Sequence, residues 1–427
     1  MGKKFFLITI DDLRRDRTSL ELNRDTTPFL NEFADRSFYS DCHFSCAPAS
    51  PGSFRNIFSG TFPKQFSDDD YLSDERPYFP DILSDSGIRT VGLTTNPYIS
   101  TSYGFERGYS KFEDTVLESI NEADNSGLGV LGFVKSIARR LPFTNFLRVL
   151  RDRLRGQGTP YLEADEVTER AKRMIETESD EDTFYWFHYM DPHSPFMPPE
   201  ETYGEWNSFE SNREAWRAIE NDGEGVIDLY DECVLFMDRY LGELVNYIER
   251  NFDDEDYEIL ITSDHGELFP EDDKSFSGHP SILEEKLFEV PLFFRSSGEV
   301  APDFSTHLDI APTVLDFFGV DTPEAMKGFS FYSGEKREYG FAHSHPMHMH
   351  GMTDEQRKPR AGKMTGEGFA TKADLRDSSS TDDDELKKHI EFVNYSSEAG
   401  EEEKGSELSE EEEEKVKENL RQLGYDE

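Results

Sequence analysis

Tyr257-Glu258-Ile259-Leu260-Ile261-Thr262-Ser263-Asp264-His265-Gly266-Glu267 reads as a buried strand that ends in a polar cluster. Its apolar, β-branched run suits a strand covered on both faces. An acid and an imidazole side by side at a strand's end, followed by glycine, suit a metal ion better than a core. A second end of this kind lies far upstream, where Phe5-Phe6-Leu7-Ile8-Thr9-Ile10 stops at Asp11-Asp12. In open α/β sheets, ligands sit beyond the carboxyl ends of the strands. The two ends together predict one cation held by Asp11, Asp12, Asp264 and His265. Hard oxygen ligands favour Ca²⁺, Mg²⁺ or Mn²⁺, and the imidazole admits Mn²⁺ or Zn²⁺.

Strand-like and helical patterns alternate outward from these ends. Thr27-Pro28-Phe29-Leu30 reads as a helix start with proline in the first turn. Pro80 to Leu83 reads as a helix closed by Ser86-Gly87, and Thr90 to Thr94 as a short strand. Thr183 to Tyr189 is a nearly all-aromatic strand. Residues 226–249 form a helix with Cys233 on its apolar face. Val290 to Phe294 is a further strand, and Leu308 to Phe318 a helix ending at Gly319. The expected fold is α/β, a large mixed and mostly parallel sheet sandwiched by helices. Composition shifts near residue 335, so residues 1–335 read as one domain. Residues 336–427 read as an acidic extension, partly loop or disordered: Ser378–Asp384 as a solvated linker, Glu401–Glu403 and Glu410–Glu414 as acidic blocks, and 416–423 as a short docking helix. His343, His345, His348 and His350 crowd one stretch, which reads as an exposed loop ahead of a metal-binding tract.

The chain has 427 residues, 45 basic against 90 acidic, for a net charge of −45. Such a balance argues against nucleic acid as a partner, because phosphate backbones need lysine and arginine. The acid is spread along the whole chain. A self-repelling surface of this kind fits halophilic adaptation, where the Debye length shrinks to about 3 Å at 1 M salt. No secretory signal is visible, and no run approaches the roughly 20 apolar residues of a membrane span. A cytoplasmic protein without stable membrane insertion is therefore expected. Segment 127–150, interrupted by Lys135, Arg139, Arg140 and Arg148, reads as a packed helix pair ahead of a basic amphipathic surface. Three cysteines make no disulfide framework.

Between Phe44 and Pro63 a small, Pro/Gly-rich turn leads into a helix that carries Ile57 and Phe58 and closes at Gly60. A hydroxyl there points at a helix N-terminus, where free N–H groups stabilise anions. Ser50 and Ser53 are both candidates, as a nucleophile on an anionic ester or as a plain helix cap.

The ordered set of motifs resembles the sulfatase family of the alkaline-phosphatase superfamily over roughly residues 3–330. The carriers are Asp11-Asp12-Leu13-Arg14; Thr27-Pro28-Phe29-Leu30; the serine turn closing at Ser59-Gly60; Asn96-Pro97; Gly104-Phe105-Glu106-Arg107-Gly108; His188-Tyr189-Met190-Asp191-Pro192-His193-Ser194-Pro195; Ser263-Asp264-His265-Gly266-Glu267; His279; and Leu308-Asp309-Ile310-Ala311-Pro312-Thr313. The resemblance implies a divalent metal on Asp11, Asp12, Asp264 and His265. It places Ser50 at the nucleophile position, ten residues before Gly60. It puts His193 and His279 where family members keep substrate-binding or leaving-group residues. Arg55 and Asn96 are the substrate-binding candidates. His188 reads as a satisfied core group, and His307 and Asp309 as braces for the helix that follows.

Two departures bear on chemistry. The family's Cys-x-Pro-x-Arg box, whose cysteine becomes formylglycine, is broken. Cys46-Ala47-Pro48-Ala49 is followed by Ser50 where arginine should stand, and Arg55 lies one residue late for a box that begins at Ser50. Asn96 occupies the region of the family's usual lysine. The expected activity is hydrolysis of sulfate or phosphate esters, small-molecule or glycan, by attack of Ser50. The alternatives are transfer of a phospho-alcohol head group to glycan or lipid, and a non-catalytic binding protein on the same fold.

Overall fold

The computed structural model describes residues 2–66, 72–96, 98–114, 161–177, 179–210, 212–220, 224–272, 278–279, 282–298, 300, 302–344 and 359–403. Segment 127–150, His345, His348, His350, Glu410–Glu414 and residues 416–423 lie outside the described residues.

In chain order the elements are β1 (Lys4–Ile10), α1 (Pro28–Ala34), β2 (Phe38–Ser40), β3 (His43–Phe44), α2 (Ser50–Ser59), α3 (Phe79–Asp85), β4 (Arg89–Thr94), β5 (Lys111–Asp114), α4 (Ala164–Met174), β6 (Thr183–Tyr189), α5 (Asn212–Glu220), α6 (Val226–Asn251), β7 (Tyr257–Ser263), α7 (Glu285–Phe288), β8 (Leu292–Arg295), β9 (Ser305–Thr306), α8 (Ile310–Phe318), β10 (Tyr339–Ser344), β11 (Arg360–Thr365), β12 (Gly368–Asp374) and α9 (Asp384–Glu403). Seven strands form the main sheet in the order β2-β8-β7-β1-β6-β4-β5. β7, β1, β6, β4 and β5 are parallel, and β8 runs against its neighbours. The mostly parallel α/β sandwich expected from the alternation is the fold.

Both faces of the sheet are covered, so its central strands are buried at every position and mostly apolar. Phe6, Ile8, Tyr185, Phe187, Ile259 and Ile261 pack beneath α1, α4 and α6. Phe5, Leu7, Phe184, Trp186, Leu260 and Phe294 pack beneath α2, α3 and α8. Proline stands in the first turn of α1, α2 and α3, where no intrahelical N–H bond is lost. α6 buries three acidic side chains that tie loops to it. Asp238 accepts from the N–H groups of Phe29 (2.7 Å) and Leu30 (3.0 Å) at the start of α1. Glu232 accepts from the N–H groups of Gly204, Trp206 and Asn207 at 2.6–3.0 Å. Asp231 pairs with Arg17 and Arg24.

Register is what positions the site. Ile10 lies opposite both Tyr189 of β6 and Ser263 of β7. The three central strands therefore end level, and Asp11, Met190 and Asp264 leave the sheet side by side.

Beyond residue 335, where sequence patterning weakens, β10, β11 and β12 form an antiparallel sheet. α9 packs Leu386, Ile390 and Val393 against Ala361, Ala373 and Leu375. Ser378–Asp384 is a polar turn leading into α9, whose first N–H groups are capped by Asp383. Among the described residues no helix is long and apolar enough to cross a membrane.

One buried acid makes stability depend on pH. Glu258 of β7 is 2% exposed and accepts from Ser296 Oγ at 2.8 Å and from Tyr332. Burial pushes its carboxyl up from 4.5 to about 7. The folded chain keeps a proton that the unfolded chain releases. This contribution is complete below pH 4.5 and is lost as pH rises through about 7. Glu258→Gln keeps the neutral form at every pH. Urea titrations should show wild-type stability falling relative to the variant between those two values. A difference that is flat across that window contradicts a buried, protonated Glu258.

Candidate active site

The ends of β1 and β7 converge as the sequence predicts. Asp11 leaves β1 with its N–H bonded to Tyr189 O (2.8 Å), and Asp264 N bonds back to Ile10 O (3.1 Å). Asp12 follows in a left-handed conformation, φ +59°, which aspartate tolerates better than most residues. Tyr230 OH holds it there by donating to Asp12 O (2.8 Å) and accepting from Arg14 N (3.0 Å). Leu13 N donates to Ser263 Oγ at 2.8 Å. After His265, Gly266 passes so close to α7 that a Cβ would lie 2.0 Å from Lys286 O. The glycine of Asp-His-Gly is thus required by backbone approach, and its N–H bonds to Leu287 O at 3.0 Å.

Asp11, Asp12, Asp264 and His265 are all fully buried. His265 Nδ1 faces two acceptors, Gly266 O at 3.0 Å and Asp12 Oδ1 at 2.8 Å, so its proton belongs there. Its Nε2 then turns a lone pair toward Asp264 Oδ2 (3.4 Å) and Asp11 Oδ1 (3.9 Å). Among the described residues, Asp11 Oδ1, Asp12 Oδ2 and Asp264 Oδ2 have no hydrogen-bond partner, while Asp12 Oδ1 faces His265 Nδ1. An unsatisfied buried polar group costs about 1–3 kcal/mol, and more when charged. Lone pairs facing one another in this way need a positive charge between them, and these residues fit a divalent cation. Three sets of possible ligand atoms, Asp11/Asp264/His265, Asp12/His265/His279 and Asp11/Asp12/His193, each lie within 4.8 Å of one another.

Electrostatics tells the same story. Burial, then the charge of Asp11, pushes the Asp264 carboxyl up to about 7. Burial acts to raise Asp11 as well, but the His188 hydrogen bond and the nearby imidazoles of His193 and His265 outweigh it and hold Asp11 well below the usual carboxylate range. Glu267, buried beside Asp12, is pushed well above its ordinary value by burial and by that neighbour's charge.

Ser50 is the first residue of α2 and is 6% exposed. Its Oγ lies 3.3 Å from Asp11 Oδ2, 3.2 Å from His265 Nε2 and 3.2 Å from Asn96 Nδ2. Of the two serines left open by the turn, Ser50 alone faces the carboxylates. Ser53 is fully buried behind it, bonded to His307 Nδ1 (2.9 Å) and to the backbone carbonyl of Asp264. α2 closes at Gly60, φ +59°, as expected. Cys46 packs against Phe62 and Leu308, and burial pushes its thiol up to about 12.

The remaining candidates divide. His193 and His279 are half-buried at the rim, their rings 6.1 Å apart, with the His279 ring 4.7 Å from that of His265. Burial takes His279 down to about 4. His193 is raised, burial being outweighed by the charges of Asp11 and Asp12. Asn96 is present, but its amide is engaged by the protein: Nδ2 donates to Asp11 Oδ2 at 2.8 Å and Oδ1 accepts from Tyr98 N at 2.9 Å. Arg55 stands five residues along α2 from Ser50, about 140° round the helix axis, and is half-buried. His188, read from sequence as a core group, is buried, yet its Nε2 lies 3.2 Å from Asp11 Oδ2. The signal that could have found it was its position one residue before the end of a strand whose last residue is level with Ile10. His307 and Asp309 brace as expected. His307 spans Ser53 and Ser263 O, and Asp309 forms a capping box with Thr306.

Relatives in sequence include both hydrolases and transferases. An N-acetylglucosamine-6-O-sulfatase of Bacteroides thetaiotaomicron is 30% identical over 149 residues, 31% of this chain and 26% of the relative. The phosphatidylethanolamine transferase Mcr-2 of Escherichia coli is 23% identical over 274 residues, 57% of this chain and 50% of the relative. The chain thus matches at most half the length of these curated relatives. In structure, an alkaline phosphatase superfamily protein from Vibrio parahaemolyticus superposes with a TM-score of 0.61 at 15% identity, covering 94% of this chain and 88% of that one, which shows a shared fold. The sulfatase family model matches residues 3–320, a stretch that takes in both metal-capable strand ends and the serine turn, and the chain belongs to the sulfatase family.

Proposed function

We propose that this chain is a divalent-metal-dependent hydrolase of sulfate or phosphate esters, with Ser50 as nucleophile and Asp11, Asp12, Asp264 and His265 as the metal ligands. The observation that carries the reading is the position of Ser50 Oγ, 3.2–3.3 Å from Asp11 Oδ2 and His265 Nε2 at the N-terminus of a ten-residue helix. A bound cation supplies Lewis acidity, neutralising ester oxygens and easing loss of the hydroxyl proton. Asp11 Oδ2 accepts the hydrogen of Ser50 and fixes its lone pairs. The Ser50 oxygen bonds to phosphorus or sulfur as the bond to the alcohol oxygen breaks. His193, with a nitrogen within 4.8 Å of carboxylate oxygens of Asp11 and Asp12, is placed to protonate the departing oxygen. Water then attacks the seryl ester and returns the hydrogen to Ser50.

Two features favour phosphorus over sulfur. A seryl sulfate lacks the second hydroxyl by which a formylglycine hydrate expels sulfate. Cys46, the residue that opens the broken box, is packed in an apolar cluster away from the carboxylates. A second reading, transfer of a phospho-alcohol head group, draws on the match to a phosphatidylethanolamine transferase. It shares the first half of the mechanism and differs in the acceptor.

Nitrophenyl sulfate, phosphate and phosphodiester should be assayed in high salt with Ca²⁺, Mg²⁺, Mn²⁺ and Zn²⁺ in turn. Phosphoester turnover is expected, with release to water, and Ser50→Ala should lower kcat by about 10³-fold or more. Mass spectrometry of the 44–62 peptide should show intact serine. Unchanged Ser50→Ala activity removes the nucleophile, an aldehyde at residue 50 returns the chain to sulfate cleavage, and cation binding without turnover of any ester supports a binding protein.

Mutual repulsion of the ligands gives a second prediction. Chelator should lower the Tm, and added cation should restore it. Asp264→Asn removes one buried charge, so its Tm in chelator should exceed wild type while the response to cation is lost. A variant that still gains stability from cation excludes Asp264 as a ligand.

A further inference from the structure

We propose that His188 is a positioning residue that divides the work of the two Asp11 oxygens, reserving Oδ2 for Ser50 and Oδ1 for the cation. The inference rests on the reading of Asp11 as a metal ligand beside a nucleophilic Ser50.

His188 lies on β6 directly opposite Thr9 of β1, on the face toward α2. Trp186, Thr9, His188 and Asp11 are all fully buried and form one hydrogen-bonded column. Trp186 Nε1 lies 2.9 Å from Thr9 Oγ1. Thr9 Oγ1 lies 2.9 Å from His188 Nδ1. His188 Nε2 lies 3.2 Å from Asp11 Oδ2, which accepts from Ser50 Oγ at 3.3 Å. The direction of the column follows from its two ends. An indole N–H only donates and a carboxylate only accepts, so Thr9 Oγ1 accepts from Trp186 and the imidazole proton sits on Nε2, donated to Asp11. Nδ1 is then left to accept the Thr9 hydroxyl hydrogen. The opposite tautomer could reach Thr9 O, 3.2 Å from Nδ1, but it would turn the Nε2 lone pair against a carboxylate oxygen. The ring plane is fixed by Phe54, edge-on at 4.9 Å and 86°, and by Trp186, stacked at 6.0 Å.

Asp11 Oδ2 thus receives three donors, Ser50 Oγ, Asn96 Nδ2 and His188 Nε2, while Oδ1 receives none among the described residues. Asn96 and Ser50 come from loop and helix on one side, and His188 comes from the sheet. With His188 removed, the carboxylate loses the one hydrogen bond that, among the described residues, ties it to the sheet, and it can tilt off the plane that aims Oδ1 at His265 Nε2. Partners of this kind, one step removed from a metal, typically carry 10–100-fold in metal affinity.

The test is calorimetric titration of Mn²⁺ into the chelator-treated full chain, for wild type, His188→Ala and His188→Gln, with kcat and KM of each variant and a ¹⁵N-histidine spectrum of wild type. His188→Ala should weaken Mn²⁺ binding about 10–100-fold and lower kcat with little change in KM. Gln, whose amide N–H can replace the donor to Oδ2, should recover most of both. The spectrum should show His188 protonated at Nε2. Mn²⁺ affinity unchanged in His188→Ala while its Tm falls would make His188 a packing residue and overturn the proposal, as would an Nδ1-protonated ring. If the alanine variant does not fold, the glutamine variant and the wild-type spectrum decide. The Mn²⁺ titration does not depend on Ser50, so loss of the nucleophile assignment and loss of this one are separate results.

Discussion

Buried negative charge at the level ends of two adjacent parallel strands is the constraint from which the site follows. β1 and β7 pair in register from Lys4 opposite Tyr257 to Ile10 opposite Ser263. Asp11, Asp12 and Asp264 therefore cannot avoid one another. Without a counter-charge, three carboxylates in a low-dielectric pocket repel by several kcal/mol. The fold meets this partly with imidazoles and backbone N–H groups: His188 on Asp11, and the N–H of His265 on Asp264 Oδ1 at 2.8 Å. The oxygens left over face inward, and ligand atoms of Asp11, Asp264 and His265 lie within 4.8 Å of one another, a set that fits a divalent cation.

The surrounding structure keeps these groups from relaxing apart. Tyr230 from α6 clamps the left-handed Asp12, and Ser263 Oγ accepts from Leu13 N. The serine turn is held from outside. Ser45 N bonds to Phe288 O (2.8 Å), and His343 N of β10 bonds to Cys46 O (2.9 Å), four residues before Ser50. His343 and His389 meet at 2.8 Å, which ties α9 to the same strand. The segment beyond residue 335 thereby touches the backbone that aims the nucleophile.

The fold was legible because covered parallel strands announce themselves as apolar runs. Phe5–Ile10, Thr183–Tyr189 and Tyr257–Thr262 needed no partner to be recognised, and the polar residues ending two of them located the site. The C-terminal sheet was not legible for the converse reason. Its buried positions include Ala342, Ala361 and Ala373, and strands such as Arg360–Thr365 carry too little apolar contrast to show a period of two. The partners of His188 were not legible, because a histidine inside an aromatic strand gives no local sign of what its ring faces. That depends on Thr9, Trp186 and Asp11, and only the register joins them.

The central claim is that one cation sits among Asp11, Asp12, Asp264 and His265, against Ser50. Crystals grown with Mn²⁺ and measured at the manganese absorption edge test it most directly. The account predicts an anomalous peak within coordination distance, about 2.0–2.3 Å, of Asp11 Oδ1, Asp264 Oδ2 and His265 Nε2, with Ser50 Oγ on its open side. A peak bound elsewhere, or none at these oxygens with the metal in excess, would contradict it.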